Sequence, residues 1–306
     1  MNKILRGDAL KVLKKLENES VDCIITSPPY FGLRDYGIKE QLGLENTPKE
    51  YVAAIVEIFE EARRVLKNGG TFWLNLGDSY AGSGKGFGDK NADRKYTSAA
   101  RVRTLKKAVT PGVKPKEIIG IPWRVAFALS AAGWYLRQDI IWAKPNVMPE
   151  SVKDRCTKNH EYVFLLAKSA TYHFDAGAIK EKSVYTDSRL NKGRFLYNGK
   201  RQGAKGTGKA AVISVTDFRN KRSVWSITTK AFAGAHFAVF PEALVEPMIL
   251  SGCPRGGVVL DPFMGSGTTA VVAKKLGRQY LGIELNPEYI KIAEERIANT
   301  PIPFDL

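Results

Sequence analysis

The chain has 306 residues, 44% of them hydrophobic, with 47 Lys and Arg against 31 Asp and Glu for a formal net charge of +16. That is enough apolar material for one large domain with an insertion or for two domains, and the want of any apolar run of ~18 residues argues against a membrane span. Cys23, Cys156 and Cys253 show no Cys-x-x-Cys spacing and His160, His173 and His236 no ligand spacing, so a disulfide framework and a metal site both lack support.

The start of the chain has no signal-peptide apolar core, and a cytoplasmic, metal-free protein is expected. Residues 9–16 and 48–66 read as helices, residues 21–25 and 71–76 as strands. Periodicity then fails over residues 77–117, a Gly-, Lys- and Arg-rich stretch read as a long loop. A helix follows over 122–132, then strands over 135–142 and 161–167 able to pair antiparallel. Residues 169–225 turn polar, basic and Gly-rich, with Phe195, Tyr197, Phe218 and Trp225 interleaved. Regular pattern resumes near residue 236, with strands over 258–260 and 279–284, a helix over 270–276 between them and a final helix over 287–298. This order predicts a doubly wound α/β sheet carrying one recognition insert. The expected divisions are a first core part over 1–168, an insert over 169–225 and a second core part over 226–306.

The charge is concentrated. Residues 85–116 hold ten Lys or Arg against two acids and residues 180–222 twelve against three, while the remainder is balanced at 25 against 26. Two focused surpluses on an otherwise neutral chain mark a polyanion-binding surface. Within the second, residues 203–209 fit the first seven positions of a phosphate-binding P-loop. Ala210 stands where Ser or Thr must hold magnesium, however, and no apolar strand precedes it. Lys205 and Lys209 therefore count with the basic surface.

Two motifs follow predicted strands, and ligands of such sheets bind beyond the strands' carboxyl ends. Asp261-Pro262-Phe263-Met264-Gly265-Ser266-Gly267-Thr268-Thr269 follows Val258-Val259-Leu260, and its glycines let backbone N–H groups approach a ligand at a helix N-terminus. The next strand ends on Glu284, a carboxylate able to accept both hydroxyls of a ribose. Thr26-Ser27-Pro28-Pro29-Tyr30 follows the strand over 21–25. Its two prolines remove two donors, which leaves the Ser27 and Pro28 carbonyls as outward acceptors.

These residues resemble the amino-DNA methyltransferases, S-adenosylmethionine enzymes whose base-binding motif is (Ser/Asp/Asn)-Pro-Pro-(Tyr/Phe). The catalytic motif comes first and the cofactor glycines last, which resembles the circularly permuted β group of that family. Gly7-Asp8-Ala9-Leu10, residues 68–76, Ile140-Ile141-Trp142-Ala143-Lys144-Pro145 and His236-Phe237-Ala238-Val239-Phe240-Pro241 supply further ordered matches along nearly the whole chain. The resemblance implies a Rossmann-like methyltransferase sheet, S-adenosyl-L-methionine as cofactor and double-stranded DNA as partner. A homodimer and a cognate restriction endonuclease are further partners it admits. Asp8, Ala9, Phe240, Asp261, Phe263, Gly265, Ser266, Gly267, Thr268 and Glu284 become the expected cofactor residues. Lys144, Lys192, Arg194, Lys200, Arg201, Lys205 and Lys209 become the expected DNA contacts.

The chemistry follows from the target. An exocyclic amine is a poor nucleophile because its lone pair is delocalised into the ring. Acceptors in line with its N–H bonds favour a pyramidal nitrogen, and the Ser27 hydroxyl and Pro28 carbonyl are placed to serve. Pro29 completes the turn, and Tyr30 stacks on a base flipped out of the duplex. Carbon-5 methylation needs a cysteine nucleophile in a Pro-Cys pair, and the chain has only the reverse, Cys253-Pro254. Ser-Pro-Pro-Tyr resembles the motif form common among cytosine-N4 enzymes, whereas Asp-Pro-Pro-Tyr is more usual among adenine-N6 enzymes, so the resemblance favours N4 of cytosine, with N6 of adenine the alternative. An RNA or protein amine methyltransferase fits the permuted order and basic inserts less well. A non-enzymatic nucleic-acid-binding module leaves Glu284 and the glycine loop without a role.

Overall fold

The structure is a computed structural model that describes residues 1–38, 41–82, 103–104, 110–183, 195–197, 211–213, 218–229 and 240–301. Two compact units form, Met1–Asp175 with Ser223–Leu306, and Ala176–Arg222.

The larger unit is built on an eight-stranded sheet. Its strands are β1 (Lys3–Arg6), β2 (Val21–Thr26), β3 (Leu66–Leu76), β4 (Tyr135–Ala143), β5 (His160–Ala167), β6 (Val224–Ser226), β7 (Val258–Asp261) and β8 (Gln279–Glu284), in the spatial order β1-β8-β7-β2-β3-β5-β4-β6. The first five in that order are mutually parallel, β5 is antiparallel to both β3 and β4, and β6 is parallel to β4. Because β5 is reversed, its N-terminal end shares an edge with the C-terminal ends of β2, β3 and β7. Strand order reverses between β7 and β2, the place where open α/β sheets leave a crevice.

Among the described residues six helices cover the sheet: α1 (Ala9–Leu13), α2 (Pro48–Val65), α3 (Ile121–Ala131), α4 (Glu242–Gly252), α5 (Thr268–Lys275) and α6 (Pro287–Ala298). Side chains of a strand alternate between faces, and two cores result. Ile24, Phe72, Leu74, Phe164, Leu166, Leu260 and Leu281 pack under α1, α2 and α3. Their neighbours Cys23, Ile25, Trp73, Val163, Leu165 and Val259 pack on the other face, under α4 and α5. Helix α2 starts where its sequence demands, with Pro48 in the first turn and a capping box in which Thr47 Oγ1 accepts from Glu50 N at 3.1 Å and Glu50 accepts from Thr47 N at 3.1 Å.

Several expected bounds move. Helix α1 ends at Leu13 because Lys15 N and Leu16 N turn back to Val12 and Leu13 carbonyls, tightening the last turn. Strand β3 begins at Leu66, directly from α2, so the helix expected to residue 66 and the strand expected from 71 meet without a loop. Helix α5 starts at Thr268, two residues early. Strands β1 and β6 and helix α4 are additions, and β6 straddles the end of the stretch expected to be insert.

In the smaller unit Glu181–Lys182 pairs antiparallel with Phe218–Arg219, and Phe195–Tyr197 with Ala211–Ile213. Glu181 binds both Arg219 Nε at 2.8 Å and Arg222 Nε at 2.6 Å. Among the described residues no helix is long and apolar enough to cross a membrane.

Candidate active site

The loop 27–30 leaves β2 at the crevice with Pro28 buried and Ser27, Pro29 and Tyr30 half-buried. It is held from behind. The Pro29 carbonyl accepts from Tyr51 Oη at 2.9 Å, and Gly43, at φ +97°, comes so close that a Cβ there would lie 2.9 Å from the Tyr30 carbonyl oxygen. Gly77, just past β3, makes room for the Tyr30 ring, which a Cβ would meet at 2.6 Å. Among the described residues no hydrogen bond uses the Ser27 or Pro28 carbonyl.

The Tyr30 hydroxyl enters a four-residue network. Tyr30 Oη donates to Glu161 Oε2 at 2.7 Å, and Ser27 Oγ donates to Tyr30 Oη at 3.2 Å. Asn75 Nδ2, at the end of β3, reaches Tyr30 Oη and Glu161 Oε2 at 2.9 Å and Ser27 Oγ at 3.3 Å. Asn75 Oδ1 is buried with no partner among the described residues. The other Glu161 oxygen is bound by Lys144 Nζ, which also lies 4.2 Å from the centroid of Trp142. Burial and then the Glu161 carboxylate push the Tyr30 phenol well above its ordinary range, so it stays protonated and donates.

The second loop is tied down by two carboxylates. Glu284 Oε2 accepts from Gly265 N at 2.7 Å and Oε1 from Asn286 N at 2.8 Å, which leaves a lone pair on each oxygen. Gly265 and Gly267 take φ of 52° and 83°, and a Cβ on Gly267 would sit 2.8 Å from that of Ala293 in α6. Ser266 and Thr268 turn their hydroxyls toward Arg296, whose Nη1 lies 3.0 and 3.2 Å from them.

Asp261 joins the two loops. Its Oδ1 accepts from Thr26 Oγ1 at 2.6 Å and Phe263 N at 3.0 Å, and its Oδ2 from Thr269 Oγ1 at 2.7 Å. At 1% exposure it is a strut between the strand that ends in Ser27 and the helix that follows the glycines. Burial raises its carboxyl to about 6 against those three hydrogen bonds, and burial likewise raises that of Glu284.

Of the other expected residues, Asp8 caps α1 by accepting from Lys11 N at 2.9 Å, and Ala9 is buried behind it. The residue before them, Gly7, donates to the Glu284 carbonyl at 3.0 Å, which brings this segment beside the glycine loop. Phe263 packs on the α1–α3 side and Phe240 on the α4–α5 side. Lys144 sits in the Glu161 network with 16% of its side chain exposed. Lys192, Arg194, Lys200, Arg201, Lys205 and Lys209 lie outside the described residues, as do 203–209 as a whole and 236–239. Asn75 and Glu161 carry no role in the sequence reading, and Thr26 and Thr269 stand inside the two motifs without one. Polar residues at the ends of apolar strands were the available signal for the first two.

A family model described as DNA methylase matches residues 21–295. Type II methyltransferase M.Cfr9I of Citrobacter freundii is 48% identical over 96% of this chain and 87% of its own length, and Type II methyltransferase M.SmaI of Serratia marcescens 45% identical over 96% and 90%. Among solved structures, the cytosine-N4-specific PvuII DNA methyltransferase superposes with a TM-score of 0.65 at 20% identity, covering 99% of this chain and 89% of that one. The Thermus thermophilus protein TTHA0409, complexed with S-adenosyl-L-methionine, superposes with a TM-score of 0.58 at 23% identity, covering 98% and 95%. These two likenesses show the same Rossmann-like fold. The chain belongs to the DNA methylase family, whose members methylate the N4 amine of cytosine or the N6 amine of adenine.

Proposed function

We propose that the protein transfers a methyl group from S-adenosyl-L-methionine to N4 of cytosine in duplex DNA, by base flipping and direct transfer. The Asp261 strut carries the reading, because one buried carboxylate ties Thr26, beside Ser27, to Thr269, beside the glycine loop. The cofactor supplies an electrophilic methyl group on a sulfonium. Glu284 has one free lone pair on each oxygen for ribose hydroxyls, and Gly265 and Gly267 keep the approach open. Asp8, Ala9, Phe240, Phe263, Ser266 and Thr268 shape the same pocket. Asp261, ionised above its raised value, offers a buried negative charge to the cationic ligand.

On the base side, Ser27 Oγ and the Pro28 carbonyl accept from the target amine, while Pro29 and Tyr51 hold the loop and Tyr30 stacks on the base. Serine in the first motif position favours cytosine N4. The insert over 169–225 serves target recognition, and its Lys and Arg, with those of 85–116, grip DNA phosphates. The Type II names of the relatives support a place in a restriction-modification system, and a cognate restriction endonuclease, a cytoplasmic location and a homodimer complete the proposal.

Nucleoside mass spectrometry of DNA from expressing cells, with long-read sequencing to map the site, tests this reading. N4-methylcytosine is expected. N6-methyladenine in its place would reverse the choice of base, and neither product would overturn the activity.

A further inference from the structure

A carboxylate, Glu161, sits under the base loop with its oxygens bonded to Tyr30, Asn75 and Lys144. Hydrogen-bond polarity supplies the reason. A carboxylate only accepts, so Tyr30 must donate its proton to Glu161 Oε2, at 2.7 Å. The Tyr30 oxygen is then left with lone pairs alone, and these receive Asn75 Nδ2 at 2.9 Å and the Ser27 hydroxyl proton at 3.2 Å. Ser27 is thereby turned so that its own lone pairs face away from Tyr30. The Asn75 amide is fixed in the same sense, because flipping it would set its oxygen 2.9 Å from the Glu161 oxygen. The polarity runs in one direction through the whole chain of contacts, and it starts from Glu161.

We propose that Glu161 works through Tyr30 to hold the Ser27 hydroxyl as an acceptor and to receive the proton that leaves the target nitrogen. The inference rests on the amine methyltransferase reading. As the nitrogen lone pair forms the bond to the methyl carbon, the carbon–sulfur bond breaks and its pair stays on sulfur. One N–H bond of the amine then breaks, and its pair stays on nitrogen. The proton passes to Ser27 Oγ, the Ser27 proton to Tyr30 Oη, and the Tyr30 proton to Glu161 Oε2. The sulfonium charge and the carboxylate charge both disappear, so atoms and charge balance. Asn75 and Lys144 keep the members in register from either side of the carboxylate.

Glu161 is on this account a positioning residue as well as the proton's destination, and it carries selectivity. A Ser27 that can only accept suits an N–H donor and opposes a carbonyl oxygen, so a base with an oxo group in place of the amine is disfavoured.

The test compares wild type, Glu161→Gln, Tyr30→Phe and the double variant on a duplex carrying the mapped site. Single-turnover methyl transfer should fall about 10²-fold in either single variant. Cofactor affinity by calorimetry and duplex affinity should stay within about 3-fold of wild type, because neither change touches the cofactor loop or removes the Tyr30 ring. The double variant should be no slower than the slower single variant, as members of one relay are not additive. The ratio of affinities for a target cytosine and a target uracil, each opposite guanine, should shift about 10-fold toward uracil in Glu161→Gln relative to wild type, since the easier flipping of the mismatch is common to both enzymes and a glutamine amide can donate to Tyr30 and reverse the polarity. A merely structural Glu161 would not move this preference. Should Glu161→Gln fail to bind cofactor, Tyr30→Phe, which removes one oxygen, decides. Wild-type transfer rates in Tyr30→Phe, or additive losses in the double variant, would overturn the relay. A wild type that methylates no DNA amine would overturn the underlying reading and the relay with it.

Discussion

The cofactor-side loop and the base-side loop meet at Asp261, yet they are assembled in opposite ways. Asp261, Gly265, Gly267, Thr269 and Glu284 fall within one strand, turn, helix and strand, and apart from the Asp261–Thr26 bond that joins the loops their side-chain hydrogen bonds are local in the chain. The base side draws Ser27 and Tyr30 from one strand end, Asn75 and Gly77 from another, Lys144 from a third and Glu161 from a reversed strand. A local site tolerates change elsewhere in the sheet, whereas a site gathered from four strand ends depends on the register of all of them. Strand β5 is decisive here, because its reversal alone brings Glu161 to the edge where β2 and β3 end.

The sharpest way to break this comparison is to damage one loop and read the other. Ser27→Ala removes the acceptor proposed for the target amine, and turnover should fall about 10²- to 10³-fold while cofactor affinity stays near wild type. Radiolabel transfer and calorimetry on one preparation check both halves. Loss of cofactor binding in Ser27→Ala would mean that the loops are not separable. The reciprocal change, Glu284→Ala, removes an acceptor with its charge and leaves Gly265 N and Asn286 N unpaired. Cofactor affinity should drop about 10²-fold, or ~3 kcal/mol for charge-assisted bonds, with an intact circular dichroism spectrum. Gly265→Val should act in the same direction, since a β-branched residue is strained at φ 52°.

The contrast also explains what was legible from the amino acids. The cofactor side reads well because its signal is contiguous: the bounds of β8 and α6 match the pattern to the residue. On the base side only residues 27–30 announce themselves. Asn75 looks like one polar interruption in an apolar strand and Glu161 like the charged start of another, and their meeting depends on the sheet order. Helix α4 escaped because Pro247 lies inside it and its face is apolar nearly all round, so no amphipathic period shows. The surplus of positive charge is visible in composition, but composition cannot say which cations are engaged, as Glu181 with Arg219 and Arg222 illustrates.

A gentler perturbation sharpens the same comparison. Gly77→Ala places a methyl group 2.6 Å from the Tyr30 ring and 3.4 Å from Glu161 Cδ, so ring and carboxylate must give way together. An over-packing cost of about 1–3 kcal/mol is expected, with turnover lowered about 10-fold by misplacement of the base loop. Cofactor affinity should not follow. Equal losses in both readouts would show that β3 supports the two loops alike.

The smallest effect concerns the strut itself and is read by pH. Burial lifts the Asp261 carboxyl from 3.8 to about 6, and its close partners, Thr26, Thr269 and Phe263 N, are neutral donors, with Glu284 the neighbouring charge. The sign for folding is therefore the reverse of an ion-paired carboxylate. The protonated form contributes stability below ~4, and that contribution is lost as pH rises through about 6, costing about 3 kcal/mol in the cofactor-free protein. A cationic ligand restores the balance by favouring the ionised form, so cofactor binding should release a proton near pH 6. Cofactor affinity should accordingly weaken about 10-fold between pH 7.5 and pH 5. Asp261→Asn keeps an acceptor for Thr26 and Phe263 N and can donate to Thr269, so the fold should persist. Its affinity should start lower at pH 7.5 and vary less with pH, leaving only the slope contributed by Glu284, whose carboxyl is raised by the same burial. Calorimetry in buffers of different ionisation enthalpy counts the released protons directly. A wild-type affinity that is flat across this range would mean that the strut carries no charge toward the cofactor and serves only to hold the two loops together.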